Sequence, residues 1–249
     1  MAGTLRFGKH PRKTDYRTLR FKNYVTKALA PPPASADILA EVLKNVNAKP
    51  GDVPTLFPMD GNDTYGDCTI AAVAHAITMY DGLANTQPVV MSTKAVEKLY
   101  FKLTGGIDSG LNELDVLNHW QSQMVAREKI LAFASIDPKN HDHIKQAMNL
   151  FGGVYLGFQV QQACLDDFNA TPRHPWTPGP LTNEGHAVYA VAYDDKTVTV
   201  LTWGDTQQGT WDWWDECVDE AYAILPPDAK KWDGFNIEQL REDLDAVAG

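Results

Sequence analysis

Apolar residues recur at helical spacing in several parts of the chain, and each such run begins after a residue suited to cap a helix. The spacing predicts helices that begin after Ser35, Asp67, Ser92, Asn112 and Asn236. Most of these runs lie before residue 126. We therefore expect a helical lobe over residues 51–126, preceded by an N-terminal extension over residues 1–50 that carries one helix.

The pattern changes to alternation in the second half of the chain. The run GVYLGFQV places Val154, Leu156, Phe158 and Val160 on one face of a strand. GHAVYAVAY and VTVLTWG are typical of two strands, and the polar residues between them predict a hairpin turn. These segments indicate a β-rich lobe over residues 127–225 and a helical tail over residues 226–249. The fold class expected from this order is α+β.

The segment GNDTYGDCTIAAVAHAI combines a cysteine with a helix start. Gly66 can adopt an unusual backbone conformation, Asp67 is a good N-cap, and Cys68 falls in the first turn of the helix. Unpaired amide hydrogens and the positive end of the helix dipole favour a thiolate at that place, so we expect a lowered pKa for Cys68. The alternative is that Cys68 is a small buried apolar residue.

A histidine at the start of a strand adds to this pattern. His186 opens the run HAVYAVAY, and Trp203 follows it at hairpin distance. A thiol at a helix start and an imidazole at a strand start are the two reacting groups of a cysteine nucleophile site. A structural role is the alternative for His186.

These two segments resemble the papain-like cysteine peptidases, in which a helix starts at the nucleophilic cysteine and a GHAV-type strand carries the histidine. The family's Gln six residues before the cysteine and Gly two residues before it correspond to Asn62 and Gly66. The resemblance implies a helical lobe with the nucleophile helix, packed on an antiparallel β-barrel-like lobe with the histidine. It also implies that Asn62 is an oxyanion donor and that Trp203 shields the His186 ring from water.

The Asn that completes the family's catalytic triad is not evident in this chain. Alignment from Trp203 places Leu201 at its position, whereas counting from His186 places Thr202 there. A leucine cannot orient an imidazole, but a threonine hydroxyl can accept its N–H. We therefore assign Thr202 as the orienting residue, with a backbone carbonyl or a water molecule as the alternative.

Two loops correspond to parts of the papain-like fold that contact substrate. The glycine-rich residues 104–110, with Gly106, fall where the family has its substrate-lining loop, although a simple helix connector explains them equally well. The loop NATPRHPWTPGPLTNE leads directly into His186, so Trp176 and His174 are candidates for the rim of the site. Gly66 and Asp67 are the other expected lining residues.

Composition narrows the choice of partners. The chain has 22 basic and 32 acidic residues, and a net charge of −10 argues against nucleic acid or an anionic membrane. No zinc-binding or phosphate-binding motif occurs, so we expect neither a metal nor a cofactor. With only three cysteines, we expect Cys164 and Cys217 to be reduced, although the count also allows one bridge between them. The basic N-terminus has no apolar run of secretory length, which favours a cytoplasmic or virion-associated protein.

The sequence therefore predicts a cysteine-dependent hydrolase, a peptidase or an amidase, that acts on a peptide or peptide-like amide through Cys68 and His186. Three alternatives stay open. The missing Asn favours a catalytically inactive papain-like binding scaffold. An N-terminus without a secretory signal pattern favours a phage-associated cell-wall amidase. An acyltransferase would differ from a hydrolase only in using an amine as the acceptor. The oligomeric state is not determined by the sequence.

Overall fold

The computed structural model describes residues 5–227 and 234–248. The α-helices are α1 (Ile38–Asn45), α2 (Val53–Leu56), α3 (Cys68–Ala84), α4 (Thr93–Leu103), α5 (Glu113–Ser122), α6 (His141–Phe151), α7 (Cys164–Asn169), α8 (Trp211–Cys217) and α9 (Ile237–Ala248). The β-strands are β1 (Ala36–Asp37), β2 (Ala132–Ile136), β3 (Val154–Gln161), β4 (Leu181–Tyr193), β5 (Thr197–Thr202), β6 (Asp205–Thr210) and β7 (Val218–Leu225). Single 3-10 turns lie at Phe21–Asn23 and Pro50–Asp52.

Side-chain caps begin most of the predicted helices. Ser92 accepts a hydrogen bond from an amide of α4, Asn112 from an amide of α5, and Asn236 from an amide of α9. The predicted start of the first helix at Ser35 is wrong by two residues. Asp37 caps α1 instead, because residues 36–37 pair with β4 and the chain turns into the helix only after them.

The strands form one antiparallel sheet in the order β2-β7-β3-β4-β5-β6, and the short strand β1 pairs with the C-terminal end of β4. Within the described ranges β2 and β6 lie at opposite ends of this order and do not pair, so the sheet is not closed. The expectation of an α+β fold is confirmed, whereas the barrel-like closure of the second lobe is not found. The open sheet leaves the residues at the start of β4 facing the helical lobe.

Helix α3 joins the two lobes because it is buried on all sides. Every residue from Cys68 to Met79 is buried, and the helix packs on β4 and against α1, α4 and α5. An all-round apolar helix of this kind lies in a protein interior rather than on its surface. Cys68 at its first residue is therefore held between the helices and the sheet.

The N-terminal extension and the C-terminal tail both pack on this core. Phe21 and Tyr24 contact the ring of Phe235, and the Tyr24 hydroxyl donates to Asp243 of α9 at 2.8 Å. Much of residues 1–50 thus belongs to the same hydrophobic core as the two lobes. Across the described residues, none of the helices has the length and apolarity needed to span a membrane.

Candidate active site

Cys68 is the first residue of α3 and is 1% exposed. The predicted N-cap role of the Asp67 side chain is wrong, because neither carboxyl oxygen accepts a hydrogen bond, and the backbone carbonyl of Asp67 accepts from the Ile70 amide instead. Burial, with a smaller effect from the neighbouring Asp60 carboxyl, raises the pKa of Asp67 to about 8. A protonated Asp67 leaves the start of α3 without a negative charge at neutral pH.

Burial is also the largest influence on the pKa of the Cys68 thiol, which it raises to about 12. The backbone amides of Ala187 and Gly8 face the sulfur and act in the opposite direction, since they favour the thiolate. The predicted lowering of the Cys68 pKa is therefore wrong for the thiol as this structure holds it. The helix start is present, but desolvation outweighs it.

His186 lies on β4, where it pairs with Phe158 of β3. Its Nε2 lies 2.8 Å from the Thr202 hydroxyl at the end of β5, while Nδ1 has no hydrogen-bond partner among the described residues. The ring is 1% exposed, and burial lowers its pKa to about 3. Thr202 thus makes the contact predicted for it, while Leu201 is buried in the core.

Aromatic rings enclose the imidazole. Trp203 stacks on it with a centroid distance of 4.4 Å and an interplanar angle of 19°, and Phe7 and Phe158 meet it edge-on at 5.5 and 5.7 Å. Trp203 and Gly204 both have positive φ, 47° and 75°, and form the two-residue turn between β5 and β6. Such a backbone is unfavourable for a tryptophan, which indicates that its packing on His186 holds it there.

Trp176 does not lie on the rim of the site. It is 0% exposed, its Nε1 donates to the Cys164 carbonyl, and its ring packs on Trp203 from the core side at 6.1 Å. The predicted rim position is wrong because the proline-rich loop folds inward at this residue, forming backbone hydrogen bonds with β6. His174, by contrast, is exposed.

Residues 5–11, which we call the N-terminal segment, lie across the two candidate reacting groups. The amides of Gly8 and Lys9 donate to the carbonyl of Gly185, the residue before His186, at 3.2 and 3.0 Å. On the other side, the Leu111 amide donates to the Gly8 carbonyl, and the His10 amide donates to the Leu111 carbonyl. The segment therefore fills a groove between the start of β4 and the start of α5.

The groove is lined by glycines from four parts of the chain, namely Gly66, Gly110, Gly157 and Gly185. A Cβ on any of them would lie within 3 Å of the N-terminal segment. Sequence analysis named Gly66 and included Gly110 in the expected substrate-lining loop, but it missed Gly157, Gly185 and the segment itself. The segment has no periodic pattern, and glycines that are far apart in sequence give no signal of meeting.

Gly106 does not line the groove. It is exposed, its φ is 88°, and nothing lies within 4 Å of the position that its Cβ would take. It forms the turn after α4, as the helix-connector alternative predicted, whereas Gly110 and Leu111 make the contacts expected of the loop.

Asn62 is buried close to the same groove. Its side-chain Nδ2 donates to the backbone carbonyl oxygens of Tyr65 and Arg6, both at 3.2 Å. Its backbone carbonyl accepts from the Arg6 amide at 2.9 Å. One partner of the Asn62 amide is therefore a backbone carbonyl of the N-terminal segment.

Comparison with solved structures identifies the fold. No protein-family model matches this sequence, and no curated protein matches it. Xylellain, a cysteine protease from Xylella fastidiosa, superposes with a TM-score of 0.66 at 18% identity, covering 88% of this chain and 96% of xylellain. ProCathepsin B from Trypanosoma congolense superposes with a TM-score of 0.60 at 14% identity, covering 88% of this chain and 86% of its own.

A third solved structure has the same fold. The Carica candamarcensis cysteine protease CMS1MS2 has a TM-score of 0.53 at 12% identity, covering 78% of this chain and 99% of its own. These neighbours are papain-like cysteine proteases, and this chain has the papain-like fold. The family resemblance inferred from the motifs around Cys68 and His186 is thereby confirmed at the level of the fold.

Proposed function

We propose that the protein is a cysteine-dependent hydrolase that cleaves a peptide or a peptide-like amide through a thioester on Cys68. The observation that carries this proposal is the environment of His186. One ring nitrogen is held by the Thr202 hydroxyl, the other is buried and has no partner in the part of the chain that the structure describes, and the amide of the next residue, Ala187, faces the Cys68 thiol. A buried ring nitrogen without a partner is unfavourable in a purely structural histidine.

The Thr202 contact is compatible with the tautomer needed for catalysis. If Nε2 carries the hydrogen and donates it to the Thr202 oxygen, Nδ1 keeps a lone pair and can accept the thiol proton. Stacking by Trp203 fixes the plane of the ring and excludes water from it. Thr202 and Trp203 then act as positioning residues, and Cys68 and His186 as the reacting pair.

The reaction follows from this arrangement. His186 takes the thiol proton, the Cys68 sulfur attacks the amide carbonyl, and the carbonyl oxygen becomes an oxyanion near the start of α3. The backbone amide of Cys68 and the Asn62 side chain are the donors proposed to stabilise it. The imidazolium then protonates the leaving amine, and the C–N bond breaks to give the thioester. Water, deprotonated by His186, releases the acid and restores the thiol.

The pair is neutral while the N-terminal segment covers it. Burial is the largest cause of both shifts, raising the pKa of Cys68 and lowering the pKa of His186. Water that enters when the segment leaves removes that cause, while the Ala187 amide, which favours the thiolate, belongs to β4 and stays in place. Displacement of the segment is therefore part of the proposed activity.

Mass spectrometry after treatment with a peptide epoxide tests this function. The full-length protein should gain one adduct on Cys68, and His186→Ala should slow its formation on the order of 10²-fold, because the base is lost. Cys217→Ala removes another buried free thiol and serves as the matched control, which should label as the parent does. An adduct on Cys164 or Cys217 alone, or an unchanged rate in His186→Ala, would contradict the proposal.

A catalytically inactive binding scaffold is the second candidate, because the filled groove and the neutral pair both favour it. The two functions differ in one measurement. A scaffold releases no acyl product from any peptide in a mixed library, even when Cys68 reacts with the epoxide. A hydrolase releases new peptide termini, and the Cys68→Ala variant abolishes them.

A further inference from the structure

A buried acidic pocket adjoins the candidate active site and holds the side chain of Lys9. The Lys9 Nζ lies 2.9 Å from Oδ1 of Asp219 and 2.9 Å from Oε1 of Glu220, and the Lys9 side chain is 2% exposed. Gly157 of β3 forms one wall, since a Cβ there would lie 1.9 Å from the Lys9 Cε. The absence of a side chain at residue 157 is what makes room for the lysine stem.

The pocket has more negative groups than Lys9 can satisfy. Glu113, at the start of α5, is 0% exposed, its carboxyl group lies beside that of Glu220, and within the described part of the chain no other residue donates a hydrogen bond to it. Its Oε2 lies 2.9 Å from the position of a Cβ on Gly157, so it faces the same space as the Lys9 stem. Asp219 and Glu220 thus contact the Lys9 ammonium, and Glu113 faces the lysine stem. A buried carboxyl group without a donor is unfavourable unless a cation or further donors reach it.

The electrostatics agree with a site for a cation. Burial raises the pKa of Glu113 and of Glu220, and the Lys9 ammonium that occupies the pocket acts in the opposite direction by favouring the charged carboxylates. For Lys9, burial alone lowers the pKa, but the charges of Glu113, Glu220 and Asp219 outweigh it and raise the pKa. The pocket therefore keeps an inserted amine protonated.

The backbone beside this pocket passes the reacting groups. Lys9 follows Gly8, whose amide faces the Cys68 thiol, and both residues donate to the Gly185 carbonyl next to His186. A peptide that occupies the groove in place of the N-terminal segment brings a neighbouring side chain to the pocket mouth. Asp219, whose side chain is 39% exposed, lies at that mouth, and a cavity of about 170 Å³ borders it.

We propose that the pocket formed by Glu113, Asp219, Glu220 and Gly157 is the specificity site of the enzyme, and that it takes a lysine or arginine side chain of the substrate close to the scissile bond. Lys9 occupies it in place of substrate. This inference rests on the proposed hydrolase function. Arginine has five N–H donors in a planar fork, which matches the unsatisfied carboxyl oxygens better than a single ammonium does.

The test compares two irreversible peptide probes on the full-length protein. The probes differ only in one side chain next to the reactive group, which is lysine in one and norleucine in the other. The second-order rate of Cys68 labelling should be at least tenfold higher with the lysine probe. Glu113→Gln and Asp219→Asn should each reduce this ratio, and the ratio should approach one when both are changed. Asp219 is partly exposed, so Asp219→Asn remains informative if Glu113→Gln does not fold.

Two matched controls separate the pocket from general charge. Asp115→Asn removes a carboxylate from the same helix as Glu113, and Lys13→Met removes the exposed lysine that pairs with Asp115. Both should leave the ratio unchanged, whereas Lys9→Met should raise the rate with the lysine probe because the internal competitor is lost. Equal rates for the two probes on the parent protein overturn the pocket proposal and leave the hydrolase standing. No labelling of Cys68 by either probe, in the parent or in Lys9→Met, overturns both.

Discussion

At the residue scale, we propose that the contact between His186 and Thr202 takes the place of the amide that orients the histidine in the family the chain resembles. The hydroxyl lies 2.8 Å from Nε2 and is buried with it. In the transition state the imidazole is charged, and a hydrogen bond from a charged donor contributes about 1.5 to 3 kcal/mol. Loss of that bond corresponds to a rate change of about tenfold or more.

Thr202→Val should therefore lower the rate of Cys68 labelling by a peptide epoxide at least about tenfold. Valine keeps the branched shape and the strand propensity of threonine, so the fold should be retained. Thr199→Val makes the same change on the same strand and should leave the rate unaltered. A rate within twofold of the parent for Thr202→Val would show that His186 is oriented by other groups, among them the stacked Trp203.

Asn62 has a different part in the proposed reaction, because its amide donates to a carbonyl oxygen rather than to a base. Asn62→Ala should weaken binding of a peptide aldehyde, which forms an oxyanion on Cys68, by about 10²-fold. Alkylation by an epoxide forms no such oxyanion, so its rate should be retained or should rise as Arg6 is released. Asn169→Ala, which removes an exposed amide, is the control. Equal losses with both reagents would make Asn62 a structural residue of the loop.

At the element scale, the start of α3 shows where sequence reasoning succeeded and where it failed. The apolar run after Cys68 predicted the helix correctly, since burial on all sides leaves a long apolar stretch that is visible in the sequence. The prediction that the helix start lowers the pKa of the Cys68 thiol was wrong. The pKa depends on the access of water to the sulfur, and that access is limited by the N-terminal segment, which lies 60 residues away in sequence. The local sequence pattern around Cys68 contains no information on which distant segment of the chain covers it.

The sequence predictions for the β-rich lobe were also partly right and partly wrong. The hairpin of β4 and β5 was predicted by alternation and by the polar turn, and it brought His186 and Thr202 together as expected. Trp176 was misplaced because loop composition predicts exposure, whereas its indole is anchored in the core by one hydrogen bond to the Cys164 carbonyl. The acidic pocket was missed since Glu113 and Glu220 lie on separate elements more than 100 residues apart.

The buried carboxyl before α3 gives a pH-dependent prediction at this scale. The pKa of Asp67 is about 8 in the folded protein and about 4 in an unfolded chain, so folding retains a proton between these values. Its contribution to stability is fully present below about pH 4 and is lost as the pH rises towards 8, at most about 1.4 kcal/mol per pH unit. Asp67→Asn, which is neutral throughout, should therefore be more stable than the parent, and the difference should grow from pH 5 to pH 8.

Urea unfolding at pH 5, 6, 7 and 8 measures this difference. Asp67 makes no side-chain cap, so the amide does not remove a hydrogen bond from the first turn of α3. Asp63→Asn, at an exposed position of the same loop, should show no such trend. A constant difference across these pH values would mean that Asp67 is ionised in the folded protein.

At the scale of the whole molecule, the N-terminal segment decides whether the site is open. It connects the two sides of the groove through backbone hydrogen bonds to Gly185 and Leu111, and it places the Lys9 side chain in the acidic pocket. The segment comes very close to the chain at Gly66, where a Cβ on Gly8 would lie 1.9 Å from the Gly66 carbonyl oxygen. No alanine fits at residue 8 unless the backbone of one side moves.

Gly8→Ala should therefore displace the segment and expose the Cys68 thiol. Iodoacetamide at neutral pH should then alkylate Cys68 at least about tenfold faster than in the parent protein. Hydration lowers the pKa of the thiol and access lets the reagent reach it, so both increase the thiolate available for reaction. The rates for Cys164 and Cys217, which are buried at 0% and 2% exposure, should not change. Gly51→Ala is the matched control, since nothing lies within 4 Å of a Cβ at residue 51. An unchanged Cys68 rate in a folded Gly8→Ala variant would show that the segment yields without opening the groove, and the neutral state of the pair would then need another cause.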